Sequence, residues 1–126
     1  MRDVRERESL VDGLARLLAV GAQAMQNVNW FSVLEFDAAA GRVEHLGTRR
    51  TLAEALAFVG EDFQTFARSC EDATGEAPDN LLQQIIFVYG AGKLKRIIRY
   101  RKQRGITLPV MSICDANGSE LETLKA

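Results

Sequence analysis

The apolar run at residues 85–89, IIFVY, constrains the fold of this chain more than any other segment. Its branched and aromatic residues favour a strand over a helix, and a continuous apolar run is typical of a strand that is buried on both faces. Two glycines follow, at positions 90 and 92, and residues 93–104 then carry seven basic side chains and no acidic one. What this basic segment forms decides between several hypotheses on function.

In one interpretation, residues 90–92 form a tight turn, residues 93–104 form a helix, and residues 110–114 return as a parallel strand. This order, with Asp115 lying 25 residues after the first glycine, resembles the opening unit of a dinucleotide-binding fold. Lys95 occupies the third glycine position of that motif. The resemblance implies a phosphate-binding turn. Its residues would be Gly90, Gly92 and Lys93.

In a second interpretation, residues 81–89 form a helix, and residues 93–104 are the recognition helix of a helix-turn-helix, a motif that places such a helix in a DNA groove. In a third, residues 85–89 remain a strand and the basic helix is only a surface element. All three interpretations predict a helix at residues 93–104.

The charge of the chain is divided between this basic segment and the rest. Residues 93–104 contribute +7, whereas the other nine Lys/Arg and seventeen Asp/Glu contribute −8, so that the net charge is −1. Like charges on one helical face repel one another, which favours an anionic partner, most simply nucleic acid. The alternative is a solvated face that is balanced by the acidic loop at residues 71–79. The candidate binding residues are Lys93, Lys95, Arg96, Arg99, Tyr100, Lys102 and Arg104.

A helical wheel separates these side chains into an apolar and a basic side. Leu94, Ile97 and Ile98 face the core, and most of the cations face outward. Tyr100 lies at the border of the basic face, where its ring could stack on a base. Arg101 falls on the apolar side, so it must reach the edge or pair with a carboxylate, because an unpaired buried charge is costly.

The first half of the chain predicts a helix, a β-hairpin and a second helix. Residues 5–27 are amphipathic, and their leucine face could also form a homodimer. Residues 30–37 and 42–48 resemble strands on either side of a loop, which predicts a hairpin. Thr51 and Glu54 form a capping box, which starts a helix that runs to about residue 71. The leucine face of the first helix consists of Leu10, Leu14, Leu17 and Leu18.

The end of the chain predicts two further strands. Residues 109–115 are largely apolar and predict a strand, after which Asn117-Gly118 predicts a type I′ turn. A short return strand at residues 119–124 follows that turn in this interpretation.

Few residues are available for metal binding or catalysis. Cys70 and Cys114 lie 44 residues apart in apolar stretches, which predicts two buried, reduced thiols and fits no zinc or redox motif. His45 is the only histidine, and it has no identifiable nucleophile beside it. We therefore expect no metal and no cofactor, and these few candidate groups do not support catalysis.

Taken together, these patterns predict one α+β domain that spans residues 1–126. Its mixed sheet would have four or five strands with helices packed on it, in the order α-β-β-α-β-α-β. No N-terminal signal or membrane span is visible, so we expect a cytoplasmic protein.

The favoured hypothesis on function is a small binding or regulatory protein whose basic helix docks an acidic partner, most simply nucleic acid. One alternative is a protein–protein interaction module, such as an inhibitor or immunity-type adaptor, that acts through the hairpin at residues 30–48 or through the first helix. Another alternative is a nucleotide-binding module that uses residues 90–93.

Overall fold

The computed structural model describes residues 30–38, 40–81 and 84–126. Within this part of the chain, the order of elements is β-β-α-β-β-β-β. The helix predicted at residues 5–27 lies outside the described residues. The elements are β1 (Phe31–Asp37), β2 (Arg42–Arg49), α1 (Leu52–Ala73), β3 (Gln84–Gly90), β4 (Lys93–Gln103), β5 (Ile106–Cys114) and β6 (Glu120–Lys125).

The six strands form one sheet in the order β2-β1-β3-β4-β5-β6, and every neighbouring pair is antiparallel. This corrects the predicted mixed sheet of four or five strands. The strand expected to be parallel, at residues 110–114, belongs to β5 and runs antiparallel to β4. Short turns join β3 to β4, β4 to β5 and β5 to β6, and only antiparallel neighbours can be joined so tightly. The fold is a single small α+β-like domain with a helix packed on an antiparallel sheet.

Residues 93–103 form strand β4, so the helix predicted at residues 93–104 is wrong. The side chains of Ile97 and Ile98 are 2% and 0% exposed and lie on opposite faces of the sheet, as the two-residue period of a strand requires. The preceding turn favours this hairpin, because Ala91 and Gly92 both have positive φ, 51° and 73°, as in a type I′ turn. The helix that the dinucleotide-binding and helix-turn-helix interpretations require is absent from this segment.

Helix α1 packs on one face of the sheet and begins where the capping box predicts. The Thr51 Oγ1 accepts a hydrogen bond from the backbone N–H of Glu54 at 3.1 Å, which satisfies one of the free donors of the first turn. Among the described residues, no helix is both long and apolar enough to cross a membrane. The buried core between α1 and the sheet includes Val33, Ala55, Val59, Phe63, Ile86, Val88, Ile98, Tyr100, Met111 and Ile113.

The opposite face of the sheet carries a second apolar cluster. Strand β1 contributes to both faces: Phe31 and Val33 pack on the α1 side, and Leu34 and Phe36 pack on the other. The central strands of the sheet are therefore apolar on both faces. The buried members of the second cluster are Ile85, Phe87, Tyr89, Ile97 and Cys114.

The turn between β5 and β6 differs from the predicted type I′ turn. Only Gly118 has a positive φ, 87°, and its backbone N–H donates to the carbonyl of Asp115 at 3.0 Å. This is a type I turn followed by a left-handed glycine, the usual three-residue hairpin loop. The Asp115 side chain stabilises the turn by accepting backbone hydrogen bonds from Asn117 and Ser119, each at 2.9 Å.

Candidate functional site

The predicted binding residues do not share one surface, because alternate side chains of a strand point to opposite faces. Lys93, Lys95 and Arg96 lie at the end of β4 that follows the β3–β4 turn. Arg99 pairs with Ile85, which belongs to the apolar cluster opposite α1. Arg99 therefore lies on that face of the sheet too. The remaining members of the set lie towards the other end of the strand.

Tyr100 is part of the core and is 5% exposed. Its ring stacks on Phe66 with a centroid distance of 5.5 Å, and its hydroxyl donates to the Asp62 Oδ2 at 2.6 Å. Burial, followed by the Asp62 carboxylate, raises the pKa of Tyr100 above its ordinary value. The stacking role predicted for this ring is therefore excluded by its position.

Two cations near the far end of β4 have partners within the chain. Arg101 Nε donates to the Ser112 Oγ at 2.6 Å, and Arg101 Nη2 lies 3.3 Å from the Glu120 Oε1, so that of the two predicted alternatives the structure shows the pair with a carboxylate. Lys102 Nζ lies 2.9 Å from the Asp79 Oδ1, and this hydrogen bond lowers the pKa of the Asp79 carboxyl. For Lys102, the structure thus agrees with the alternative in which the acidic loop balances the charge.

Five basic residues lie towards the end of the sheet where α1 begins. The strand register places Arg49 beside Phe31, Phe31 beside Gly90, and Gly90 beside Lys93. Because neighbouring strands lie about 4.8 Å apart, this row crosses about 14 Å of the sheet. We call the five residues the cationic sheet end. They are Arg49, Arg50, Lys93, Lys95 and Arg96.

The three arginines of the cationic sheet end contact backbone carbonyls or aromatic rings. The Arg49 Cζ lies 4.3 Å from the centroid of the Phe58 ring, and its Nη1 donates to the carbonyl of Thr48 at 2.8 Å. The Arg96 Nη1 donates to the carbonyl of Lys95 at 2.8 Å. The Arg50 guanidinium lies over a tryptophan ring, that of Trp30, at 5.5 Å. Neutral groups thus orient these guanidinium groups without cancelling their charge.

No ion pair neutralises the cationic sheet end within the part of the chain that the structure describes; the ion pairs found there involve Arg101 and Lys102. The Asp115 carboxylate, which immediately follows β5, accepts backbone hydrogen bonds in its own turn. The N-terminus of α1 lies at the same end, where the Glu54 carboxylate in its first turn offsets the partial positive charge of the remaining free N–H groups. The formal charges of the five cations outweigh that of Glu54 at this end of the sheet.

Sequence reasoning found only part of this site. It identified the basic residues of β4 and the turn at residues 90–93, but it missed Arg49, Arg50 and Trp30. The Arg49-Arg50 pair immediately precedes the predicted capping box, and Trp30 opens the predicted hairpin. Both signals were visible, yet only the strand order brings them beside Lys93.

The remaining reactive side chains do not assemble a second site among the described residues. Cys70 and Cys114 are buried free thiols, as predicted. His45 Nε2 lies 2.9 Å from the Thr48 Oγ1, which is the hydrogen bond of a structural histidine on an exposed strand. No group of three or more His, Cys, Asp and Glu side chains is arranged to hold a metal ion within residues 30–38, 40–81 and 84–126.

Comparisons with known proteins identify no relative: the chain matches no protein-family model, no curated protein and no solved structure. The candidate function therefore depends on the geometry of the cationic sheet end.

Proposed function

We propose that this protein is a small binding or regulatory protein that docks a polyanion, most simply nucleic acid, on the cationic sheet end. The proposal depends on one observation: five basic side chains at one end of the sheet have no ion-pair partner among the described residues. Grouped like charges repel one another and raise the energy of the folded state, and a bound anion removes that cost. The surface is therefore better suited to an anionic partner than to water alone.

The chemistry of the five side chains favours phosphate groups. Arginine presents a planar fork of donors that matches phosphate oxygens, and lysine adds a mobile point charge. The row from Arg49 to Lys93, about 14 Å long, compares with one phosphate for each 3.4 Å along a single strand of B-DNA. A polyanion with several phosphates thus reaches more of these cations than a mononucleotide does.

The test compares two double charge reversals that change the net charge equally. Arg50→Glu/Lys93→Glu alters two exposed cations of the cationic sheet end, and Lys102→Glu/Arg104→Glu alters two exposed cations near the β4–β5 turn. Each pair contains one arginine and one lysine. Binding of labelled single-stranded and duplex oligonucleotides is measured by fluorescence anisotropy at several salt concentrations.

We expect the wild type to bind with an affinity that falls steeply with salt. Arg50→Glu/Lys93→Glu should reduce the affinity at least tenfold and flatten the slope of log K against log salt by roughly 0.7 to 0.9 for each lost phosphate contact. The matched control should keep most of the affinity and slope. Absence of binding at low salt, or equal losses in both variants, contradicts the proposal.

The protein-interaction alternative remains a prediction that these experiments do not address. The hairpin at residues 30–48 exposes one large aliphatic side chain among the described residues, Val43, at 41%. The same hairpin also exposes the Trp30 ring, at 39%, but two apolar side chains that contact different neighbours are ordinary for a protein surface and do not favour that alternative.

A further inference from the structure

We infer that the polyanion is a single-stranded nucleic acid, one of whose unpaired bases stacks on Trp30. This inference rests on the proposed function, because it names the ligand class of the same surface. It transfers to Trp30 the stacking role that the sequence suggested for Tyr100, whose ring is buried beside Phe63 and Phe66.

The position of Trp30 distinguishes it from an ordinary core tryptophan. Its side chain is 39% exposed, although it immediately precedes β1 at the end of the sheet where the cations gather. The Arg50 guanidinium lies 5.5 Å from the centroid of the Trp30 ring, and this contact places the ring beside the cationic sheet end. A partly exposed indole beside unpaired cations is the combination that single-strand binders use, with rings for bases and cations for the backbone.

The sheet topology argues against a duplex as the ligand. A β-ribbon reads duplex DNA by entering the major groove, which is about 12 Å wide and admits two strands. The β3–β4 hairpin is not free to enter it, because β1 flanks β3 up to its last residue, Gly90, and β2 flanks β1 up to Arg49. The cationic sheet end is therefore a broad edge of four strands, over which a flexible single strand can lie.

The only tryptophan in the chain is Trp30, so the intrinsic fluorescence of the protein reports on this one ring. The ligands are an oligothymidine of about 12 nucleotides, within the usual range of single-strand site sizes, a duplex of the same length and inorganic polyphosphate, which has charge but no bases. The proteins are the wild type, Trp30→Ala, Trp30→Phe and Arg50→Glu/Lys93→Glu. Circular dichroism establishes that each variant is folded before binding is measured.

We expect oligothymidine to quench the fluorescence of Trp30 and to bind more tightly than the duplex or polyphosphate. Trp30→Ala should weaken oligothymidine binding roughly 5- to 150-fold, the usual range for loss of one stacked base. The same change should leave polyphosphate binding within about twofold, because phosphate contacts remain. Trp30→Phe should retain most of the affinity, since phenylalanine also presents a ring face.

Two outcomes overturn the inference, and they can be told apart. If Trp30→Ala leaves oligothymidine binding unchanged while Arg50→Glu/Lys93→Glu abolishes it, the proposed function stands and the stacking role of Trp30 fails. If oligothymidine, duplex and polyphosphate all fail to bind the wild type, the proposed function and the inference fail together.

Discussion

Gly90 leaves room for the Phe31 ring of the neighbouring strand β1. A Cβ atom built on Gly90 would lie against the Cδ1 and Cε1 of the Phe31 ring, well inside van der Waals contact. Gly90 does not need a left-handed backbone, so the constraint comes from packing alone. Gly90→Ala should therefore lower the free energy of unfolding by about 1–3 kcal/mol, the usual cost of overpacking, as measured by urea denaturation.

Gly60 provides the matched control, because the same substitution should have the opposite sign there. Gly60 lies inside α1, and a Cβ built on it meets no atom within 4 Å. Gly60→Ala should raise the free energy of unfolding by about 0.5–1 kcal/mol through helix propensity. If Gly90→Ala is neutral, the Phe31 ring moves aside without cost, and the packing argument is wrong.

Glu35 makes the stability of the fold depend on pH. It lies opposite Glu44 in the β1–β2 register, and burial, followed by the nearby Asp62, Glu44 and Asp37 carboxylates, raises its pKa above the ordinary value of 4.5. The folded state therefore takes up this proton at a higher pH than the unfolded state. Stability should rise as the pH falls through the folded pKa towards 4.5.

Glu35→Gln should remove this dependence. The variant should be more stable than the wild type at pH 7, and the difference should shrink as the pH approaches 4, as measured by urea unfolding at both pH values. Glu71→Gln, which changes an exposed acid of α1, is measured in the same way as a control for the loss of one carboxylate. A difference between Glu35→Gln and the wild type that stays constant with pH would refute the assignment.

At the scale of elements, the β3–β4 turn explains why the basic segment is a strand. Ala91 is the only non-glycine residue with positive φ among the described residues, and a type I′ turn places asparagine or glycine at this position. Ala91→Asn should therefore raise the free energy of unfolding by about 0.5–1 kcal/mol. Ala91→Val should lower it, because a branched side chain tolerates this conformation poorly. Urea denaturation of both variants measures the effect, and equal stability of the two would contradict the assigned turn.

Elements that contain a strong local sequence signal were predicted correctly. The capping box at Thr51 located α1, and the apolar runs located β1, β3 and β5. Strand β4 was mistaken for a helix because its two faces are both part apolar and part basic, so that neither period dominates. The pair Ile97-Ile98 and the short GAG turn favour a strand. These signals indicate a strand only if both faces of the sheet are buried, which the sequence of this segment does not show.

At the scale of the whole molecule, the site depends on contacts between segments that are distant in sequence. Lys93 could be proposed as a ligand from the charge of its own segment. Arg49 and Arg50 could not be placed beside it, because that requires β1 to lie between β2 and β3. Strand order is fixed by tertiary packing, which no local pattern in these segments encodes.

The charges are also separated along the strands. The cationic sheet end lies where β1 begins and β3 ends, whereas Glu35, Asp37 and Glu44 lie towards the other end of the β1–β2 hairpin. Two like charges 10 Å apart in water repel each other by about 0.4 kcal/mol before screening, so a cluster of five raises the energy of the folded state appreciably. This repulsion is sensitive to salt, because the Debye length at 0.1 M is about 10 Å.

The two double charge reversals should therefore have opposite effects on stability in the absence of any ligand. At low salt, Arg50→Glu/Lys93→Glu should be more stable than the wild type, because it replaces repulsion at the cationic sheet end with attraction. Lys102→Glu/Arg104→Glu should be less stable, because Lys102 loses its pair with Asp79. Thermal unfolding followed by circular dichroism measures both differences in stability. They should shrink at 0.5 M salt, where the Debye length is about 4 Å. Destabilisation by the first pair at low salt that 0.5 M salt removes would contradict the repulsion argument, whereas a loss that does not change with salt would report the missing Arg50–Trp30 ring contact.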